Sequence, residues 1–227
     1  MGYGAWTEYA FRSALKQAEE LGWTVAYNDP LNVIRADWKR AFNKGTWLDV
    51  PFVAVLTGTE LEQHRAIAHR LNPSGLKIRN GQALHDLSVL QGLTRLITLE
   101  IHEATNLINV DGLKNCTTLQ QIYFLDCTTL ANVDGLKGLT ALSNVTINSS
   151  HLLTNVDGLK NLTSLQDADF SDCTGLTNLD ALKGLTALET LYLGGCTKLT
   201  KEHITALKAT LPNTEIHSNY LPPADTP

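Results

Sequence analysis

Residues 132–154 read NVDGLKGLTALSNVTINSSHLLT, and residues 155–177 read NVDGLKNLTSLQDADFSDCTGLT. The two stretches open on the same six residues and carry apolar side chains at the same offsets. The unit before them, NVDGLKNCTTLQQIYFLDCTTLA from Asn109, and the unit after them, NLDALKGLTALETLYLGGCTKLT from Asn178, keep the spacing of 23 residues. DLSVLQGLTRLITLEIHEATNLI from Asp86 is more degenerate but in phase. A fixed period of this length marks a chain built from stacked copies of one supersecondary unit.

Aligned on that period, the apolar residues form columns. One runs Leu96, Leu119, Leu142, Leu165, Leu188. The next runs Leu99, Ile122, Val145, Ala168, Leu191, and a third Ile101, Phe124, Ile147, Phe170, Leu193. The alternation within each unit predicts a short strand with every second residue buried. Stepping the phase outward adds Leu76 and Ile78, then Val53 and Val55, and at the other end Thr214 and Ile216. Eight strands are therefore predicted, near residues 53–55, 76–78, 99–101, 122–124, 145–147, 168–170, 191–193 and 214–216. One unit cannot bury its own leucines, whereas stacked units share one continuous apolar interior.

The pattern L-x-x-L-x-L-x-x-C-x-x-L is a leucine-rich-repeat signature. The repeats resemble those of bacterial leucine-rich-repeat proteins near the internalin-like class, one residue longer per turn. The ending LTKEHITALKATLPNTEI resembles the closing cap of such proteins. The resemblance spans residues 73–219. It implies an α/β leucine-rich-repeat solenoid, a right-handed horseshoe or arc with a parallel β-sheet on its concave face, and it implies protein recognition on that face. The expected organisation is a helical, Trp-rich N-terminal cap over 1–49 and a solenoid over 50–219. Within the solenoid, clear repeats run over 86–200 and the closing cap over 201–219. A disordered tail over 220–227 completes the chain.

All four tryptophans (Trp6, Trp23, Trp38, Trp47) precede the repeats. Phe11, Ala14, Leu15, Ala18 and Leu21 predict one helix, Trp23 to Tyr27 a strand, and Ile34, Trp38, Ala41 and Phe42 a second helix. ELEQHRAIAHRL, residues 60–71, predicts a third. The first strand is expected to be a long, irregular repeat, since Val25 and Val53 lie 28 residues apart.

In the return segment D-G-L-K, Asp111, Asp134, Asp157 and Asp180 are expected to cap short helical turns, with Lys114, Lys137, Lys160 and Lys183 offsetting their mutual repulsion. Cys127, Cys173 and Cys196 share one repeat position with Ser150 and read as small buried thiols. Cys116 stands where other units carry a core leucine. Their spacing is neither a metal knuckle nor a disulfide framework.

The binding candidates are the strand residues that face away from the core: Glu100, His102, Tyr123, Leu125, Thr146, Asn148, Asp167, Asp169 and Tyr192. They vary between units while the core columns hold. Asp172 and Glu189 add to an acidic field suited to a basic or mixed partner. The expected partner is a protein or peptide. Nucleic acid is not expected, because residues 81–227 hold 8 Lys and Arg against 15 Asp and Glu and phosphate binding needs clustered cations. No stretch is long and apolar enough for a membrane span.

No enzyme, cofactor or metal is expected. The chain lacks the nucleotide-binding, zinc-protease and serine-nucleophile motifs. His64 and His69 are five apart, off a common helical face. Cys127 and His151 are only roughly neighbours in repeat phase, and Asp167 with Asp169 lie on one strand of a sheet that offers no cleft. The sequons at Asn115, Asn144, Asn148 and Asn161 are what Asn- and Thr-rich units produce by chance. No secretory signal is visible and the thiols read as free, so the cytoplasm is the expected location, with a secreted effector as the alternative; a monomer is the expected state. The alternative is the repeat region of a larger bacterial effector or enzyme with catalysis elsewhere.

Overall fold

A computed structural model describes residues 24–27, 52–63 and 65–220, together with three helical positions, Ser13, Lys16 and Glu20. Its described strands form one sheet in chain order: β1 (Thr24–Tyr27), β2 (Phe52–Thr57), β3 (Gly75–Arg79), β4 (Thr98–His102), β5 (Gln121–Leu125), β6 (Asn144–Ile147), β7 (Asp167–Asp169), β8 (Thr190–Leu193) and β9 (Glu215–Ser218). From β2 onward every neighbour is parallel. All eight predicted repeat strands are present. Through the middle of the molecule Leu76, Leu99, Ile122, Val145, Ala168 and Leu191 lie in one register line, 23 residues apart.

The register departs from that step at both ends. Ala54 and Leu56, not Val53 and Val55, lie opposite Leu76 and Ile78. The step from β2 to β3 is thus one residue shorter than the repeat, which shifts the register by one position. At the far end Leu191 lies opposite Ile216, and Tyr192 opposite His217. The helix α3 (Lys201–Thr210) occupies that last connection and lengthens the step by two residues. The strand is therefore Glu215–Ser218 rather than 214–216. β1 pairs antiparallel with β2, Val25 against Ala54. It is the first strand of the sheet and, being antiparallel, is not the long, irregular repeat the spacing suggested.

The predicted helix over 60–71 is present as α1 (Gly58–Gln63) and α2 (Arg65–Leu71). Lys16 and Glu20 pair across one helical turn, where the first helix was expected. The second helix, the tryptophans and the tail beyond Tyr220 lie outside the described residues.

The three apolar columns are buried throughout, from Leu76 and Ile78 to Leu191 and Leu193. Opposite the sheet, each unit returns through a short turn of 3-10 helix: Asp111–Leu113, Asp134–Leu136, Asp157–Leu159 and Asp180–Leu182. The aspartates do not cap these turns. Asn109, Asn132, Asn155 and Asn178, two residues earlier, accept the Asp backbone N–H at 2.6–3.1 Å, and Asp86 plays the same part for Ser88. The freed carboxylates of Asp111, Asp134 and Asp180 pair with the lysine three residues on. The Lys137 ammonium is the main reason the Asp134 carboxyl lies below its ordinary range.

The tight approach of successive turns explains a glycine column. A Cβ on Gly158 would overlap the Val133 carbonyl, so no side chain fits without moving the backbone. A second column follows each strand: Asn80, Glu103, Asp126, Ser149, Asp172 and Gly195 all have φ between 51° and 74°. That left-handed conformation suits Gly, Asn and Asp and is costly for Glu. It turns the backbone N–H sideways onto the next unit, as in Glu103 N–H to Leu125 O at 2.9 Å and Asp172 N–H to Gly194 O at 2.7 Å.

The cysteine column fastens units together from inside. Cys173 Sγ donates to Ile147 O and Cys196 Sγ to Phe170 O, both at 3.0 Å, while Ser150 Oγ donates to Cys127 O at 3.1 Å. Burial pushes the thiols of Cys127 and Cys173 up to about 12 and that of Cys196 to about 11. They are inert packing groups, and all four cysteines are free.

Candidate functional site

Parallel register carries the middle exposed residue of each strand into a single row across the sheet. The row runs Lys77, Glu100, Tyr123, Thr146, Asp169, Tyr192, His217. Five of these seven are among the residues singled out from sequence. Lys77 was within reach of the same 23-residue step. His217 was not, because α3 changes the step there. A second row, Thr98, Gln121, Asn144, Asp167, Thr190, Glu215, lies before it. Neighbouring side chains in a row stand about 4.8 Å apart, close enough for one bound chain to touch several.

The row divides into two electrostatic halves. At the N-terminal end Lys77 and His102 both bond the Glu100 carboxylate. Burial raises the Glu100 carboxyl, but these two hydrogen bonds and the positive charge of their donors leave it below its ordinary value. In the other half Asp167 and Asp169 have neutral partners, while Glu215 pairs with His217 Nε2 at 3.2 Å. Asn144 Nδ2 donates to Asp167 at 2.9 Å. Ser171 donates to Asp169 through its backbone N–H at 2.8 Å and its hydroxyl at 2.6 Å. These bonds orient the carboxylates without neutralising them. Tyr123 sits between the halves, its phenol pushed up first by burial and then by the negative charges of Glu100 and Asp167.

Tyr192 stacks on His217 with ring centroids 4.6 Å apart and planes 10° from parallel. Tyr192 is 42% exposed, and few large apolar side chains among the described residues are more so. With Thr146, Asp169, Asn144, Asp167 and Thr190 it lines a shallow depression of about 180 Å³ on the sheet face. Leu125 and His102 are half-buried at the ends of their strands. Asn148 is partly engaged, since its side-chain oxygen accepts the Asp126 N–H at 3.2 Å. Asp172 and Glu189 are exposed at the margins.

The other pairings weighed for chemistry are not brought together as sites. His69 bonds Val89 O at 2.8 Å, and His64 lies outside the described residues. His151 bonds Asp172 O at 3.1 Å on the surface, whereas Cys127 is buried with its thiol near Ile101 O. Among the described residues no three of His, Cys, Asp or Glu converge as a metal site would require.

Residues 96–219 match the family described as BspA type leucine rich repeat region, in six copies. The chain belongs to this leucine-rich-repeat family. The match begins at Leu96 and ends at Asn219, within the span where the sequence resembles bacterial leucine-rich-repeat proteins. Among curated proteins none matches the sequence significantly. Solved structures of similar fold include internalin C2 from Listeria monocytogenes, 22% identical with a TM-score of 0.50, covering 65% of this chain and 62% of that one. Another is the leucine-rich repeat domain of the type III effector XopL, 17% identical with a TM-score of 0.45, covering 96% and 94%. The chain thus spans 62% of the internalin C2 chain, and at such identities the likeness concerns the fold. Among the described residues no helix is long and apolar enough to cross a membrane.

Proposed function

We propose that this repeat protein is a binding module rather than an enzyme, and that it holds a protein or peptide on the exposed face of its sheet. The observation that carries the reading is the contrast between conserved spacing and varied content. Within one repeated frame, the row Lys77, Glu100, Tyr123, Thr146, Asp169, Tyr192, His217 presents six residue types from seven strands, and no two neighbouring strands present the same one. A scaffold that repeats its core and varies its face presents a specific surface while leaving the fold unaltered. Tyr123 and Tyr192 offer the aromatic anchors on which interfaces concentrate binding energy.

The test is site-specific photo-crosslinking. A benzophenone amino acid is placed at Thr146, in the depression, or at Asn161, on the return turns, and each protein is illuminated in its own cell. A discrete adduct from position 146 and none from 161 is expected. Adducts from 161 alone would move the binding surface to the opposite wall.

A further inference from the structure

Resting on the sheet-face reading above, we infer that the C-terminal half of this face takes a basic segment of a partner protein, with an arginine side chain seated between Tyr192 and the carboxylates of Asp167 and Asp169. The C-terminal half of the face is complementary in charge to such a segment. Strands β5 to β9 read QIYFL, NVTI, DAD, TLYL and EIHS, and they contain no Lys or Arg. The left-handed turns that follow them add Asp126 and Asp172 and again no cation. Every Lys and Arg between residues 81 and 220 lies off the sheet: Arg95, the four return-turn lysines, Lys198, and Lys201 and Lys208 at α3.

The N-terminal end of the same face shows what self-neutralisation looks like. Glu100 there carries a lysine and a histidine of its own chain. Asp167 and Asp169 carry only an amide and a hydroxyl with its adjoining N–H. They are held in place, and the positive charge that would complete them is left to the partner.

The shape of the depression favours arginine over lysine. Tyr192 is in register with Asp169, so one guanidinium can lie against the exposed ring and still reach a carboxylate. A planar guanidinium stacks and makes paired hydrogen bonds, whereas an ammonium is a strongly hydrated point charge. His217 behind Tyr192 fixes the ring plane by stacking.

The experiment titrates the intact protein against a fluorescein-labelled peptide of repeated Gly-Arg-Ser, with Gly-Lys-Ser and Gly-Glu-Ser versions alongside, by fluorescence polarisation at low and high salt. The arginine peptide is expected to bind best, the glutamate peptide not at all, with binding weakened by salt. The double substitution Asp167→Asn and Asp169→Asn, which keeps one acceptor oxygen at each position and removes the charge, is expected to weaken binding about tenfold. Tyr192→Ala is expected to weaken it about threefold. Asp134→Asn with Asp157→Asn removes the same charge from the return wall and is expected to leave binding unchanged. Equal losses from the two double variants, or no loss from either, would overturn the inference. In that case a persisting crosslink from position 146 keeps the sheet-face reading, and its absence removes both.

Discussion

On the return wall of the solenoid even the exposed positions repeat: Asn109, Asn132, Asn155 and Asn178 in one column, Asp111, Asp134, Asp157 and Asp180 in another, then four lysines. On the sheet face the exposed positions differ from strand to strand, while the buried columns beneath them hold. The difference teaches which positions the fold dictates. A return-wall residue has a fixed structural task, such as capping a turn, pairing with the lysine three residues on, or leaving room for the neighbouring carbonyl. An outward strand residue has no such task, so its identity is open to recognition. Substitutions on the return wall should therefore register as stability, and substitutions on the sheet face as binding.

The largest effect is expected at the closest approach between turns. Gly158→Val sets a branched side chain against the Val133 carbonyl. It should lower the unfolding free energy by about 3 kcal/mol, the upper part of the usual cost of overpacking, in urea titrations. Loss of a cap is smaller. Asn155→Ala removes the acceptor of the Asp157 N–H and should cost about 1 kcal/mol. A gain of similar size is expected from Glu103→Gly, because Glu103 is held at φ 56° and glycine adopts that conformation without the Cβ penalty, worth about 1 kcal/mol.

The sheet-face pair Tyr123→Ala and Tyr192→Ala should shift stability by less than about 1 kcal/mol. Both side chains are part-exposed, and neither belongs to the buried columns. A stability loss as large as that of Gly158→Val would erase the distinction between the walls.

Acid and alkali sharpen the comparison from the inside. The Glu100 carboxyl lies below its ordinary value in the folded protein. Its contribution is therefore present above the unfolded value and is lost as pH falls through the folded one. Because Glu100 is on the sheet face and partly exposed, that loss should be the smallest effect of the set. The thiols move the other way. Cys127, Cys173 and Cys196 are raised to about 12, 12 and 11 from 9.0. Stability linked to them is full below pH 9 and declines as pH rises above it, which unfolding titrations across the alkaline range would show. Ellman's reagent should find no reactive thiol at neutral pH until denaturant is added.

The middle of the fold was legible because equal unit length converts spacing directly into register. Leu99, Ile122, Val145, Ala168 and Leu191 could be read off by counting. Counting failed where unit length changed. The β2 to β3 step is one residue shorter, and α3 makes the last step two residues longer, so His217 was missed as the end of the row. The aspartate caps were misassigned for a different reason. Asn-Val-Asp offers two side chains able to accept an N–H, and only the backbone path shows that the first one does so. The left-handed column carried a readable hint in Asn80, Asp126, Asp172 and Gly195, masked by Glu103 and Ser149. The candidate face was legible as a set of positions. Its electrostatic division was not, because it depends on Lys77 reaching Glu100 from the neighbouring strand.

The most direct test combines both walls in one protein. The variant Tyr123→Ala with Tyr192→Ala, carrying the photo-crosslinker at Thr146, is compared with the same crosslinker in an otherwise unaltered chain, and the unfolding midpoint of each is recorded. Loss of the adduct at an unchanged midpoint is the predicted result. An adduct of undiminished yield from the variant would contradict the assignment of recognition to the sheet face.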